Sequence, residues 1–245
     1  MEIAARFEHK FLVDDARRAE LLARFAARFR PDTVGSADGR YPVVSLYCDT
    51  PDRRCHWEAW RGVLSRRKLR VRLYGTRDGT IPSATFVEVK HRDGREGAKR
   101  RVKLPLADAL ALVGGGTLAS PEPPVERILA EIRALVAADG YAPACVIRYD
   151  RSAYRYCDEA GGGQLRVTFD QRVAARFDRL DPTVEDDACD LDVLPRHVSV
   201  MEVKGATAVP YALAAFLGAA GLHPRPFSKY SSSINLLAAT PVRHP

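Results

Sequence analysis

Apolar and polar positions alternate with a period of two through eight segments, near residues 3–12, 42–50, 64–74, 84–92, 97–104, 144–157, 164–173 and 197–204. Each segment predicts a β-strand, and eight strands suffice to close a sheet without exposed edges. Between them the spacing becomes helical. Asp14 or Asp15 can cap a helix over about 15–29, where Leu22, Phe25 and Phe29 recur. A second helix is predicted over about 124–138, stopped by Gly140. A third begins near Pro210 and ends at Gly221, and a fourth covers the late run "SKYSSSINLLA". Trp57 and Trp60 are expected to anchor a short helix against the sheet. "LVGGGTLAS" (112–120) reads as a helix stop and a turn, and "CDEAGGGQ" (157–164) as a turn between strands. The acidic "FDRLDPTVEDDACDLD" (177–192) reads as a solvated excursion. No repeat or linker divides the chain, so residues 1–245 read as one domain.

The polar faces of the strands are the informative part. In "KLRVRLY", Lys68, Arg70, Arg72 and Tyr74 oppose Leu69, Val71 and Leu73. Phe86, Glu88, Lys90 and Arg92 share a face of "FVEVKHR", and Lys99, Arg101 and Lys103 share one of "KRRVKL". Arg166, Thr168 and Asp170 oppose Leu165, Val167 and Phe169, and Val200, Glu202 and Lys204 oppose Met201 and Val203. An ordinary solvated strand face mixes Thr, Ser, Gln, Lys and Glu. Here Arg and Lys dominate, and Glu-x-Lys recurs three times, at Glu8/Lys10, Glu88/Lys90 and Glu202/Lys204. Like charges stacked across a sheet are destabilising. Such a face therefore calls for an anion, and its glutamates for a divalent cation with oxygen ligands. The expected arrangement is a hydrated, cationic interior with the apolar face outside, covered by helices. Unpaired buried charges would be prohibitive. Arginine forks and movable lysines around a channel suit a phosphate chain.

Composition agrees and excludes alternatives. Lys and Arg exceed Asp and Glu by 38 to 31, giving a formal charge of +7, which favours anionic partners. Charges in "MEIAARFEHKF" interrupt any secretory signal, and the longest apolar window, residues 211–222, is too short to span a bilayer. The five cysteines are scattered without metal-binding spacing, so reduced thiols in a cytoplasmic protein are expected. The six histidines show no ligand spacing, and "LVGGGTLAS" lacks the Lys-Ser/Thr of a P-loop. Cations spread over strands, with only 8% aromatic residues, argue against nucleic acid.

"RFEHKFLV", "SLYCDTPD", "KLRVRLYG", "FVEVKHR", "RYDRSAY", "LRVTFD", "VMEVKG" and "FSKYSSSI", in this order, resemble the VTC domain. This is the catalytic domain of polyphosphate polymerases of the vacuolar transporter chaperone, within the triphosphate tunnel metalloenzyme (CYTH-like) superfamily. The resemblance implies an α+β fold, an eight-stranded antiparallel β-tunnel with flanking helices. It implies an ATP-polyphosphate phosphotransferase that moves the γ-phosphoryl group of ATP to a growing polyphosphate chain, with Mn2+ or Mg2+. Carried over by motif, Lys10, Arg70, Arg72, Lys90, Arg151, Arg166 and Lys229 are the phosphate-binding, catalytic candidates. Glu202 is the metal candidate, and Glu8, Glu88 and Lys204 support them, with Arg101 and Lys103 on the same strand faces. Alternation places Arg148 and Arg151 on opposite faces; the motif favours Arg151. The implied partners are ATP and polyphosphate or pyrophosphate, with no nucleic acid and no membrane insertion. The inositol-phosphate-sensing domain and transmembrane segments of eukaryotic members have no counterpart here. A tripolyphosphatase or nucleoside triphosphatase of the same superfamily, or a non-catalytic polyphosphate binder, are the competing readings. The late "FSKYSSSI" favours the polymerase, and the carboxylate of Glu202 disfavours a pure anion binder.

Overall fold

A computed structural model of the chain describes residues 7–32, 36–76, 78, 80, 83–94, 96–118, 123–157, 164–185 and 188–239. In chain order the elements are β1 (Phe7–Asp14), α1 (Asp15–Arg24), β2 (Phe29–Pro31), β3 (Arg40–Asp49), α2 (Arg54–Trp60), β4 (Ser65–Tyr74), β5 (Ala84–Asp93) and β6 (Glu96–Lys103). Then follow α3 (Leu106–Val113), α4 (Pro123–Ala137), β7 (Ala142–Cys157), β8 (Gln164–Arg176), β9 (Leu191–Asp192), β10 (Val198–Gly205), α5 (Tyr211–Ala219) and α6 (Lys229–Ala239). The eight longer strands follow one hydrogen-bonded order, β1-β10-β8-β7-β3-β4-β5-β6, with the short β2 on β7 and β9 on β8. Every pairing with a defined register among the described residues is antiparallel. All eight predicted strands are present. Residues 3–6 and most of the predicted turn at 157–164 lie outside the described residues, as do 119–120 of the predicted helix stop.

Contacts group the chain into two compact units, Met1–Pro42 with Tyr149–Val173 and Leu194–Ser228, and Val43–Arg148 with Ala174–Val193 and Lys229–Pro245. In the first unit the apolar faces of β1, β8 and β10 carry Phe11, Val13, Leu165, Val167, Phe169, Met201 and Val203, all buried in one cluster. Leu21 of α1 and Leu213 and Leu217 of α5 close that cluster. Each such side chain contributes about 1.5–3 kcal/mol on burial, and this anchors the alternation that turns the charged residues to the other face. Asp14 caps α1, accepting from the Arg17 N–H at 2.8 Å. The helix stops at Arg24 rather than 29, because Phe29 joins β2 opposite Tyr156. Gly39 turns the chain with φ +74, and its carbonyl accepts from the Ala153 N–H at 2.9 Å while Asp32 N–H donates back to Ala153 at 2.8 Å. A Cβ at Gly39 would meet the Ala153 carbonyl oxygen at 2.5 Å.

In the second unit Leu69, Val71, Leu73, Val87 and Val89 form the buried face of β4 and β5. Helix α3 packs on these strands and α4 on β6. Two expectations fail here. Trp57 and Trp60 do lie on a short helix, α2, but are exposed rather than anchoring it; buried Cys55 and His56 hold its inner side. The acidic excursion is also not simply solvated. Val184 and Val193 are buried, and the Arg176 guanidinium donates to the carbonyls of Arg179, Ala188 and Asp181 at 2.8–2.9 Å. Those bonds satisfy backbone acceptors that a loop otherwise leaves to water.

Candidate functional site

The first unit gathers six of the candidate residues on one sheet face. Register places Glu8 opposite Lys204, Lys10 opposite Glu202, and Lys204 and Glu202 opposite Arg166 and Thr168. The two lysines bridge the two glutamates. Lys10 Nζ lies 3.3 Å from Glu8 and 3.9 Å from Glu202, and Lys204 Nζ lies 3.5 Å from Glu8 and 3.1 Å from Glu202. Lys10 also donates to the Phe227 carbonyl at 3.0 Å. Arg151 forks onto Asp170 through Nε and Nη2 at 2.7 and 2.8 Å, its guanidinium 5.4 Å from the Tyr149 ring centre. Burial opposes the Arg151 charge, but Asp170, Tyr149 and Glu202 outweigh it and raise its pKa. Arg166 donates to Asp32 at 2.9 Å and to the Tyr41 hydroxyl at 3.1 Å. Arg148 and Arg151 are equally buried, but only Arg151 belongs to this unit, and it feels Glu202.

The second unit gathers another set. Across β3, β4, β5 and β6 one row reads Tyr47, Arg70, Glu88, Arg101, and the next Ser45, Arg72, Phe86, Lys103. Glu88, with 1% of its surface exposed, is the hub: Arg70 Nη2 lies 2.7 Å away, Arg72 3.9 Å and Lys99 4.0 Å. Burial alone would raise the Glu88 pKa, yet Arg70, Arg72 and Lys99 bring it down to about 2. Arg70 donates to the Tyr47 hydroxyl at 3.1 Å, and Arg72 to Ser45 at 3.0 Å. Tyr47 stacks on Tyr230 with ring centres 5.2 Å apart, and Tyr230 donates to buried Asp49 at 2.6 Å. This seats the start of α6, where buried Lys229 acts on Tyr47 together with Arg70 and Arg72. Burial would raise the Tyr47 pKa, but these three cations lower it to about 8. Arg101 covers the Phe86 ring at 4.7 Å, while Lys90, opposite Lys68 and Lys99, is exposed.

The expectation of unpaired interior cations is corrected. Arg70, Arg151 and Arg166 each hold a carboxylate of the same unit, Glu88, Asp170 and Asp32. The pairs offset the cost of burying charge and fix each guanidinium plane. A guanidinium has five donors, so one carboxylate does not exhaust it. Sequence reading missed Asp32, Asp49, Tyr41, Tyr47 and Tyr230. Asp32 meets Arg166 across 134 positions, which no local pattern encodes. Tyr47 sits on β3, buried along nearly its whole length, so alternation gives no signal there.

No cluster of three His, Cys, Asp or Glu side chains able to hold a metal occurs among the described residues. The Glu8–Glu202 pair still fits a hard cation of the Mg2+ or Mn2+ type. Such ions commonly take one or two carboxylates and complete their shell with water and substrate phosphates. Cys55 and Cys145 do not suit nucleophilic chemistry, since burial pushes both thiols up to about 12. A cavity of about 630 Å³ in the second unit is lined by Leu73, Thr85, Lys103, Leu104, Val184 and Glu185 among others.

The chain matches the VTC domain over residues 5–238. No curated protein matches it. Among solved structures it is similar to a candidate adenylate cyclase from Bacillus halodurans, at 13% identity and TM-score 0.51 over 93% of this chain and 96% of that one. A candidate adenylate cyclase from Vibrio parahaemolyticus is similar at 12% identity and TM-score 0.45, over 95% and 99%. The Bacillus likeness shows the fold alone: the α+β, eight-stranded antiparallel triphosphate tunnel fold with flanking helices.

Proposed function

The chain belongs to the VTC domain family, and from that premise we propose that it is a polyphosphate polymerase, residues 1–245 acting as one cytoplasmic catalytic domain. The reaction moves the γ-phosphoryl group of ATP onto the end of an inorganic polyphosphate or pyrophosphate chain. The observation that carries this reading is the Glu8–Glu202 pair held between Lys10 and Lys204, on a strand face that also carries Arg166. A surface made only to bind anions gains nothing from two carboxylates there. A surface that handles phosphate with a divalent cation needs both charges.

Phosphoryl transfer asks for positioning and charge neutralisation rather than a covalent nucleophile. Glu202, with Glu8, would hold Mn2+ or Mg2+, which when bound neutralises phosphate oxygens. Lys10, Lys204, Arg151 and Arg166 bind phosphate oxygens in the first unit. Arg70, Arg72, Lys90, Lys229, Arg101 and Lys103 do so in the second, with Glu88 orienting Arg70. Lys229 acts from the N-terminus of α6, whose partial positive charge adds to its own.

The test incubates pure protein with ATP and manganese and separates long phosphate chains from free phosphate. Long chains are expected, and Glu202→Ala should abolish metal-dependent turnover while circular dichroism stays unchanged. Free phosphate alone would replace this reading by the hydrolase, and unchanged synthesis by Glu202→Ala would remove Glu202 from the site.

A further inference from the structure

Large apolar side chains normally turn inward, and residues 57–64 break that rule. Of six exposed large hydrophobic residues among those described, four fall in this stretch: Trp57, Trp60, Val63 and Leu64, with Trp60 and Leu64 each 70% exposed. Exposed large apolar side chains grouped within eight residues are a feature of binding surfaces. The stretch is held firmly. Trp57 and Trp60 meet edge to face at 6.0 Å, and the Arg61 guanidinium lies 5.9 Å from the Trp57 ring centre. Gly62 turns the chain with φ +70, the Val63 N–H donates to the Glu58 carbonyl at 2.9 Å, and the Gly94 N–H donates to the Leu64 carbonyl at 3.0 Å. The result is an ordered apolar tip at the start of β4.

A second observation says what chemistry surrounds the tip. Arg66 and Arg92 stand directly opposite each other on β4 and β5, a like-charge pair that destabilises a sheet. Arg66 donates to the Val63 carbonyl at 2.5 Å and Arg92 to the Gly94 carbonyl at 3.0 Å, so both reach toward the tip. Partial burial and the charge of Arg92 lower the Arg66 pKa, against the opposing pull of Glu58. Half-buried Glu58 acts on Arg54 and Arg66 and opposes the effect of Arg92 on Arg66 only in part.

We propose that this tip docks peripherally on an anionic lipid surface. Trp57, Trp60, Val63 and Leu64 enter the boundary between headgroups and acyl chains, and Arg61, Arg66 and Arg92 pair with lipid phosphates. Tryptophan suits such a boundary because its ring is apolar and its N–H stays wet. Cations beside an apolar wedge gain from anionic lipid in the same contact. No helix among the described residues is long and apolar enough to cross a membrane, so the contact is a docking, not a span.

The chain contains two tryptophans, and both are in the tip. Intrinsic tryptophan fluorescence therefore reads this surface and nothing else. The full chain is titrated with phosphatidylcholine vesicles and with vesicles that also contain phosphatidylglycerol. A blue shift and co-sedimentation are expected with the anionic vesicles and not with the neutral ones. Leu64→Ser and Trp60→Ser should each weaken partitioning about tenfold, and Arg66→Glu combined with Arg92→Glu should abolish it, with melting curves unchanged. No shift with anionic vesicles overturns the proposal. So does sedimentation that Trp60→Ser leaves intact, which would mean attraction by the general charge of the chain. A concentration-dependent dimer lost in Trp60→Ser would overturn it in favour of a second copy covering the tip.

Discussion

Glu88→Gln removes the carboxylate that Arg70 and Arg72 share while keeping the shape of the side chain. In the folded chain the neighbouring cations hold the Glu88 pKa at about 2, against the ordinary glutamate value of 4.5. At 1.36 kcal/mol per pH unit, that difference is roughly 3 kcal/mol in favour of the folded state. The group is an acid whose pKa is depressed on folding. Its contribution is therefore complete above about pH 5 and is lost as pH falls through about 2. The figure also agrees with the cost of breaking a buried pair by removing one partner, about 3–5 kcal/mol. Urea unfolding should show Glu88→Gln destabilised by about 3 kcal/mol at neutral pH. Between about pH 5 and pH 2 the parent should lose stability more steeply than the variant, and the two curves should converge. Tripolyphosphate should return most of the loss, since a ligand at a hundred times its Kd adds about 2.7 kcal/mol and the variant carries one more net positive charge. Parallel acid profiles for the two proteins would refute the assignment of Glu88 as the electrostatic hub.

The Tyr47 phenol is uncharged below about pH 8 and anionic above it, where its charge competes with an added anion for Arg70. Tripolyphosphate affinity measured by calorimetry should fall as pH rises through about 8 in the parent and not in Tyr47→Phe. Asp49 accepts from the backbone N–H of Thr50 at 2.8 Å and Cys55 at 2.9 Å and from the Tyr230 hydroxyl at 2.6 Å. Asp49→Asn should cost about 1–3 kcal/mol in chemical denaturation, and turnover should fall because α6 carries Lys229.

The local order of the chain was legible without any structure. All eight long strands were located from the sequence, and in β4, β5, β8 and β10 the burial of Leu69, Val71, Val87, Phe169 and Val203 on one side forces their charged neighbours to the other. The same alternation placed Arg70, Glu88 and Glu202 on the charged face, and the ordered motifs pointed to the family. Tertiary structure decided who pairs with whom. Asp32 reaches Arg166 and Tyr230 reaches Asp49 across 134 and 181 positions, and periodicity carries no information over such separations. It also decided that Trp57 and Trp60 face outward, since a sequence shows the apolar side of a helix but not whether anything lies against it. Finally, it turned a run of cations that looked unpaired into ion pairs. Charge along a strand is written in the sequence, whereas the distance between a carboxylate and a guanidinium exists only once the sheet is assembled.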